Sequence, residues 1–545
     1  MMQRPGSAMT DALGTCAAAG READWRFLLP SPSGGSFEHL LLLGGSAALA
    51  RTVLDLGVAR HVSRTIGAAG DADAVVVLAG ARESIEAAVR SLRQDGALYW
   101  EIDRRVARQL ALTPARAISR LRRSGVAASA AYWVKPGFPQ RQMYLPVGAT
   151  RAFRWYLDTL YRSTSVPRRI LKAGLRALTS SGGALGSFAP CYAVTGARGT
   201  PRPASIVETA WHDGARSIAG VDPVFLAHGT AEWSRMAVLL FESHAPSPAV
   251  ALKFPRRAAF NQQVEWEHRF LREVGGGLAP GLRRSLPWSS LFHWNDLSVC
   301  SQSCVTGATL SSRAGADAGQ LLDDLHAVAR WLAEFHQATR LETVPAHQWL
   351  AQRLVAGLCT EYEATFGLTS AERHLFATLA RRLDATDAGL LRVVWQHTDF
   401  GPWNVYRDGD HLSVIDWEVA RRGPALVDLL YFAAHWSTTV AAPATEEWDA
   451  HFASLFCDPR ANGMLIGAIH REITEYMRRL HIPSSLLPFL LVYTILEQGL
   501  DRARRVAALE CADAAEHAGN RYVRYLRVLA QHAGTLFPEE LPHAA

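Results

Sequence analysis

Residues 392–418 read RVVWQHTDFGPWNVYRDGDHLSVIDWE, and this stretch gathers chemically active side chains between runs of Val, Ile, Leu and Trp. The active side chains are His397, Asp399, Asn404, Asp416 and Glu418. Carboxylates that lie side by side repel each other and resist burial. A cation to be bound, or a proton to be moved, is the simplest reason to gather them.

The same stretch has the pattern of a β-hairpin. RVVWQ and HLSVIDW have the composition of strands, and the residues DGD at 408–410 predict a tight turn between NVYR and the second strand. This hairpin would bring Asn404 near Asp416, and the loop HTDFGPW would bring Asp399 to the same place. An amide oxygen and one carboxylate suit Mg²⁺, which prefers oxygen ligands and takes few of them from protein. A second carboxylate, free of metal, suits proton abstraction from a hydroxyl group.

The segment His397–Phe432 resembles the catalytic segment of the aminoglycoside phosphotransferase and choline kinase-like family, a branch of the protein-kinase-like fold. Three motifs carry the resemblance: HxDxxxxN over residues 397–404, IDWE over residues 415–418, and the pattern from Gly-Pro at 423–424 to Asp-Leu at 428–429.

The resemblance implies a role for each matching residue. Asp399 would be the catalytic base, and Asn404 and Asp416 would bind Mg²⁺. Asp428 would be a structural acceptor for the catalytic loop, close to His397. Thr398 departs from the pattern, since family members commonly have Gly at this position.

Lysine is scarce in this chain. Of 57 basic residues only Lys135, Lys172 and Lys253 are lysine, so a remaining lysine marks a place that needs a compact ammonium group. The kinase resemblance requires a lysine on the third strand of a small sheet, where it would hold the nucleotide phosphates. PVFLAHG, RMAVLLFES and AVALKFP predict three antiparallel strands, and Lys253 lies in the third.

A glutamate partner for Lys253 is expected on the helix NQQVEWEHRFLREV, which follows this strand. At helical spacing Glu267 falls within an apolar stripe with Val264 and Leu271. A buried carboxylate needs a cation nearby, so we predict that Glu267 pairs with Lys253. Glu265 points away from the stripe and is the second choice.

The segment HGTAEWS from His228 lies between the first two predicted strands of this sheet. Backbone amides near Gly229 and Thr230, together with Ser234, would cover nucleotide phosphates there. An ordinary hairpin turn explains the stretch nearly as well.

Strand-like and helix-like pieces alternate over residues 36–198, which predicts a parallel sheet covered on both faces. This layout is similar to the class I methyltransferase fold. Gly44 and Gly45 stand where that family has its cofactor loop, but no acidic residue precedes them. We therefore favour a scaffold domain and do not expect S-adenosylmethionine to bind.

A chain of 545 residues exceeds one hydrophobic core, and we predict an α/β Rossmann-like domain followed by an α+β bilobal protein-kinase-like domain. The predicted parts are a loose tail (1–35), the methyltransferase-like domain (36–198), a linker (199–205), a small antiparallel-sheet lobe (206–300) and a larger helical lobe (301–545).

Composition limits the class of protein and its expected cellular location. With 49% hydrophobic and 20% charged residues, no apolar run long enough for a membrane span and no signal-peptide pattern, the sequence is typical of a cytoplasmic protein. The net charge of +6 is mild, and there is no nucleic-acid motif. Seven scattered cysteines without a CxxC pattern argue against a zinc site or a disulfide framework. The sequence leaves the oligomeric state open.

The leading hypothesis is a kinase that moves the γ-phosphate of ATP or GTP, with Mg²⁺, to a hydroxyl group of a small molecule or glycan. One alternative is a pseudokinase that binds nucleotide or acts as a scaffold. Another is a bifunctional methyltransferase–kinase of glycan biosynthesis. The presence of Lys253, Asp399, Asn404 and Asp416 together favours the active kinase, because a dead site has no need for all four.

Overall fold

The computed structural model describes residues 20–30, 35–109, 111–138, 140–161, 166–180, 189, 191–199, 205–212, 221–227, 229, 234–242, 245–313, 315–386, 388–458, 463–507 and 519–538. The chain divides into two compact units. The first contains Met1–His268 and Trp288–Cys304, and the second contains Arg269–Pro287 and Val305–Ala545. Residues 200–204 of the predicted linker lie outside the described ranges.

One twelve-stranded sheet runs through the described part of the first unit, in the order β11-β12-β10-β9-β8-β6-β5-β7-β4-β3-β1-β2. Its strands are β1 Phe37–Leu43, β2 Ala59–Ser63, β3 Ala72–Val77, β4 Leu92–Ile102, β5 Ala127–Lys135, β6 Met143–Pro146, β7 Tyr192–Ala197, β8 Asp222–Ala227, β9 Arg235–Phe241, β10 Val250–Pro255, β11 Ser289–Trp294 and β12 Leu297–Ser303. The N-terminal strands and the small antiparallel sheet β8–β12 therefore belong to a single sheet.

Helices connect and cover these strands: Ala47–Asp55, Ile85–Arg90, Arg104–Gln109, Pro114–Arg123, Thr150–Trp155, Val166–Ser180, Ile206–His212 and Asn261–Gly276, with a π-helix at Tyr156–Leu160 and 3-10 turns at Asp24–Leu28 and Ala258–Phe260. Three of these helices begin after a hydroxyl residue, Ser46, Ser84 or Thr113, whose side chain accepts the amide three residues on. The helix Ile85–Arg90 is short. It ends at Arg90, because Leu92 is buried beside Ala72 and begins β4.

Strand direction changes along the sheet. β1 pairs in parallel with β2 and β3, and β3 pairs in parallel with β4. β7 is antiparallel to both β4 and β5, between which it lies. β6 pairs with β8 at two positions only, Met143 with Leu226 and Tyr144 with Phe225. The resemblance of the N-terminal part to a methyltransferase stays a prediction.

A buried helical turn lies within the segment that the sequence predicts to be a loose tail. Asp24–Leu28 form a 3-10 helix in which all five residues are buried, so the prediction is wrong for this part of residues 1–35. The Asp24 carboxylate accepts from Nε and Nη2 of Arg256 at 2.9–3.1 Å. The turn also packs aromatic rings, with Trp25 against Tyr99 and Phe27 against Phe254.

We expect Asp24→Ala to destabilise the first unit by about 3–5 kcal/mol, because it removes the carboxylate that accepts three hydrogen bonds from the buried Arg256 guanidinium. Urea unfolding followed by tryptophan fluorescence measures this loss. Glu38→Ala is the matched control: its ion pair with Arg60 is exposed, so the loss should stay below about 1 kcal/mol. Equal midpoints for the two variants would contradict a structural role of the Asp24 contact.

The second unit is mainly helical. Its helices are Pro280–Arg284, Ala318–Ala338, Ala346–Leu350, Thr360–Phe366, Ser370–Ala385, Val427–Ala441, Trp448–Phe456, Met464–Arg479, Leu487–Ala507, Arg521–Gln531 and Ala533–Leu536, with a π-helix at Ala351–Cys359 and 3-10 turns at Leu310–Arg313, Thr445–Glu447 and Ser484–Leu486. The C-terminal part of Asn261–Gly276 also belongs to this unit.

Two three-stranded sheets, β13-β16-β17 and β14-β15-β18, complete the described part of this unit. Their strands are β13 Ala308–Thr309, β14 Arg340–Pro345, β15 Leu390–Gln396, β16 Val405–Asp408, β17 His411–Val414 and β18 Arg421–Pro424. The predicted protein-kinase-like class, with a small antiparallel-sheet lobe and a larger helical lobe, is confirmed.

Among the described residues no single helix is both long and apolar enough to cross a bilayer. The stretches Met464–Arg479 and Ser484–Arg505 reach that length and composition only when they are taken together, and they are bent by 120° to each other.

The described cysteines Cys191, Cys300, Cys304, Cys359 and Cys457 are free thiols, and Cys16 and Cys511 lie outside the described ranges.

Candidate functional site

In the first unit, Lys253 lies on β10, the third strand of the run β8–β10, as the sequence predicts. Its Nζ lies 2.8 Å from Oε1 of Glu267. The other carboxylate oxygen of Glu267 accepts from Arg235 at 2.9 Å, and the side chain of Glu267 is fully buried. Two cations therefore offset the cost of burying this carboxylate, and the sequence analysis had identified only one of them.

Glu265, on the same helix as Glu267, has a different partner, which lies on β12. Its Oε1 accepts from the hydroxyl of Ser298 at 2.6 Å. The structure thus brings Glu267, rather than Glu265, to Lys253.

The predicted phosphate-covering loop is described only in part. Thr230 lies outside the described ranges. Gly229 has a φ of +70°, and a Cβ added there would lie 2.2 Å from Oγ of Ser234, so the two residues are in close contact. The carbonyl of Gly229 accepts from Arg21, and the carbonyl of Ser234 accepts from Arg256 at 2.9 Å.

In the second unit, Asp428 holds the start of the loop that follows β15. Its carboxylate accepts from the backbone amides of His397 at 2.7 Å and of Thr398 at 2.9 Å. His336 contacts the same carboxylate at 3.3 Å. Burial alone would raise the pKa of Asp428, but the hydrogen bonds from His336 and the backbone outweigh it and hold the pKa below its ordinary value.

Asp399 is held by two side chains. The hydroxyl of Tyr431 donates to Oδ1 at 2.8 Å. Nδ2 of Asn404 donates to Oδ2 at 3.2 Å and to the backbone carbonyl of Asp399 at 2.9 Å. The sequence analysis did not identify Tyr431, although it lies three residues after the aspartate of the recognised Asp-Leu pair.

The predicted hairpin consists of β16 and β17, joined by a tight turn at Gly409 and Asp410. The amide of Ile415 donates to the carbonyl of Asn404 at 3.0 Å, which places Asp416 next to this end of the hairpin. The second strand is shorter than the predicted HLSVIDW and ends at Val414. Beyond it Trp417 turns into the core, where its indole donates to Val414 at 3.0 Å.

The donor set of this hairpin suits a hard divalent cation. The side-chain hydrogen bonds of Asn404 to described residues use its nitrogen, which leaves the amide oxygen for a metal. Asp416 adds a carboxylate from a backbone with a φ of +74°. An amide oxygen and a carboxylate are the ligand types that Mg²⁺ takes.

The surroundings of His397 suit a structural role. It is fully buried, its Nε2 contacts the carbonyl of Ile415 at 2.8 Å, and its ring lies 4.5 Å from that of Trp417. His397 therefore links the loop of Asp399 to the end of the hairpin.

Thr398 adopts a left-handed backbone with a φ of +65°, which costs a residue with a Cβ roughly 1–2 kcal/mol. Its hydroxyl donates to the carbonyl of Val419 at 2.8 Å, and its own carbonyl accepts from Gln498 at 2.6 Å. These contacts, together with the hydrogen bond from the backbone amide of Thr398 to Asp428, hold threonine where the family pattern favours glycine.

We expect Thr398→Val to lose about 1–3 kcal/mol of unfolding free energy, because the carbonyl of Val419 loses its buried donor while the backbone strain remains. Thr398→Gly should stay within about 1 kcal/mol of the wild type, since relief of strain offsets the lost bond. Urea unfolding measures both. An equal loss in the two variants would contradict the expectation that relief of backbone strain offsets the lost hydrogen bond.

The glycine pair of the N-terminal part is tightly packed. Gly44 has a φ of +79°, and a Cβ there would lie 2.5 Å from the backbone nitrogen of Ala81. Arg64 donates to the carbonyl of Gly45 at 2.7 Å. The cavity beside the pair has a volume of about 290 Å³, and its charged lining residues are Arg64, Arg82 and Glu83.

Residues 237–462 match the model of the phosphotransferase enzyme family, also called APH. The C-terminal part of the chain therefore contains a domain of the phosphotransferase enzyme family. The recognition of this family from the sequence is confirmed. No curated protein matches the chain.

Three solved structures illustrate what the chain is similar to. They are a thermostable mutant of aminoglycoside phosphotransferase APH(4)-Ia with ADP and hygromycin B (14% identity, 60% of this chain and 99% of that chain covered, TM-score 0.38), amicoumacin kinase hAmiN with AMP-PNP, Ca²⁺ and Ami (12%, 62% and 95%, 0.37), and APH(2")-IIa with gentamicin (15%, 62% and 99%, 0.35).

Proposed function

We propose that the protein is a kinase that transfers the γ-phosphate of ATP or GTP to a hydroxyl group of a small molecule or glycan. The observation that supports it most is the hydrogen-bonded arrangement of Asp399 and Asn404 beside the hairpin end that carries Asp416. The match of residues 237–462 to the phosphotransferase family supports the reaction class.

Asp399 is the proposed base. The acceptor oxygen forms a bond to the γ-phosphorus while the bond from this phosphorus to the bridging oxygen of the nucleotide breaks, and the hydroxyl proton passes to the carboxylate. Phosphoryl transfer of this kind depends mostly on positioning and charge stabilisation. The bonds from Tyr431 and Asn404 support this role, because they restrict the rotation of the Asp399 carboxylate.

Asn404 and Asp416 are the proposed ligands of Mg²⁺. When bound, Mg²⁺ neutralises charge on the nucleotide phosphates. Lys253 is the proposed phosphate-binding lysine, and the bond that its ammonium group donates to Glu267 fixes the direction of that group.

The N-terminal part is proposed to be a scaffold without S-adenosylmethionine. Close packing of Gly44 on Ala81 and the bond from Arg64 to Gly45 support this proposal, because they hold the glycine pair against its own neighbours. Strand pairing of β6 with β8 supports a structural role for this part.

Asp399→Asn should lower the turnover number at least about 100-fold and leave nucleotide affinity nearly unchanged, because the amide cannot accept the proton. A transfer assay over sugars, aminoglycosides and amino alcohols with Mg²⁺ and ATP or GTP measures turnover, and calorimetry measures affinity. Asp416→Asn is the comparison variant, and it should weaken Mg²⁺-dependent nucleotide binding. Nucleotide binding without transfer to any acceptor, in the wild type, would favour the pseudokinase alternative.

Glu267→Gln should lower kcat/KM at least about tenfold, which is about 1.4 kcal/mol, since the charge that orients Lys253 is lost. Glu265→Gln is the matched control on the same helix, and we expect kcat/KM within about twofold of the wild type, because Glu265 contacts Ser298. Equal effects of the two variants would contradict the pairing as a functional contact.

A further inference from the structure

A series of side chains connects the Asp399 carboxylate to Arg521 in the second unit. The hydroxyl of Tyr431 donates to Oδ1 of Asp399 at 2.8 Å, and the hydroxyl of Tyr522 lies 3.5 Å from that of Tyr431, a long hydrogen bond. Nε2 of His435 lies 3.1 Å from the hydroxyl of Tyr522, and Nη1 of Arg521 lies 3.3 Å from Nδ1 of His435. We name Tyr431, Tyr522, His435 and Arg521 the carboxylate relay.

The direction of these hydrogen bonds follows from Arg521. A guanidinium has only donors, so Nδ1 of His435 must accept and Nε2 carries the proton. Nε2 then donates to the hydroxyl of Tyr522. The hydroxyl of Tyr522 in turn donates to that of Tyr431, and the hydroxyl of Tyr431 donates to Asp399. Burial and the charge of Arg521 hold the pKa of His435 well below its ordinary value, which keeps the imidazole neutral, as this direction requires.

The relay is built on buried, regular elements. Tyr431 and His435 are both 5% exposed and lie four residues apart, on one face of the helix Val427–Ala441. Tyr522 is the second residue of the helix Arg521–Gln531. The first of these helices also carries Asp428, which holds the amides of His397 and Thr398. One helix thus anchors both the backbone before Asp399 and the side chain of Asp399.

The two oxygens of Asp399 are held unequally. Oδ1 accepts the 2.8 Å bond from Tyr431, whereas Oδ2 has a 3.2 Å bond from Asn404. The torsion that turns a carboxylate is broad and roughly two-fold, so without the hydroxyl the group would sample many orientations. Misplacement of a reacting group by about 1 Å costs up to about 100-fold in rate.

We propose that Tyr431 is a positioning residue: its hydroxyl, oriented by Tyr522 and His435, fixes Oδ1 of Asp399 so that Oδ2 receives the proton of the acceptor hydroxyl. This inference rests on the proposed function, in which Asp399 is the base. Tyr431 itself touches neither acceptor nor phosphate in this role.

The test is Tyr431→Phe, which removes the hydroxyl and keeps the ring. kcat should fall about 10–100-fold while KM for the nucleotide changes less than about twofold, because orientation is lost and nucleotide binding is not. Tyr362→Phe is the matched control: Tyr362 is also buried and donates to a carboxylate, that of Glu372, at 2.8 Å. It should leave kcat unchanged.

His435 supplies a graded test of the relay. His435→Gln keeps an N–H that reaches Tyr522, and His435→Leu removes it, so the leucine variant should lose more of kcat than the glutamine variant. Thermal unfolding of each variant identifies any that fails to fold. A crystal structure of Tyr431→Phe should show the Asp399 carboxylate rotated, a readout that does not depend on turnover.

The outcomes separate the two proposals. Full activity of Tyr431→Phe, with an inactive Asp399→Asn, would overturn the positioning role and leave the base in place. Full activity of Asp399→Asn, or a wild type that phosphorylates no acceptor, would overturn the proposed function and the positioning role with it. An unrotated carboxylate in Tyr431→Phe would overturn the positioning role alone.

Discussion

The carboxylate of Asp428 is the contact on which the candidate site depends. It lies in the first turn of the helix Val427–Ala441, where a negative charge is favourable, and it accepts two successive amides of the loop that carries Asp399. His336 contacts this carboxylate and also contacts the hydroxyl of Tyr476. Because Asp428 is fully buried, removal of any partner would leave a desolvated charge, and the loop therefore has one favourable arrangement.

Three residues near the same contact have a strained backbone. Thr398, Asp416 and Leu426 have φ values of +65°, +74° and +92°, although none of them is glycine. Such conformations cost roughly 1–3 kcal/mol each and persist where surrounding contacts hold them. Asp428 holds the amide of Thr398, and the hydroxyl of Tyr476 holds the amide of Leu426 at 3.2 Å. Rigid packing of this kind suits a site that works by positioning.

Sequence reasoning identified the local parts of the site. The hairpin that carries Asn404 and Asp416 follows from turn residues and alternation, and the pairing of Lys253 with Glu267 follows from helical spacing and the scarcity of lysine. It missed contacts between residues remote in sequence, such as Tyr522 with Tyr431, 91 residues apart, and Arg256 with Asp24, 232 apart. Periodicity carries no information about such pairs, because it reports which face is buried and not what that face meets.

The pairing of β6 with β8 has a consequence for the limits of the catalytic part. The family match begins at residue 237, inside β9, so a chain shortened to the matched region would lack β8 altogether. A chain shortened to begin at β8 would keep that strand but lose β6, which pairs with it. The backbone groups of an unpaired edge strand favour association with other chains. The N-terminal strands thus protect a sheet edge, and this gives them a reason to remain in the molecule even when they bind no ligand.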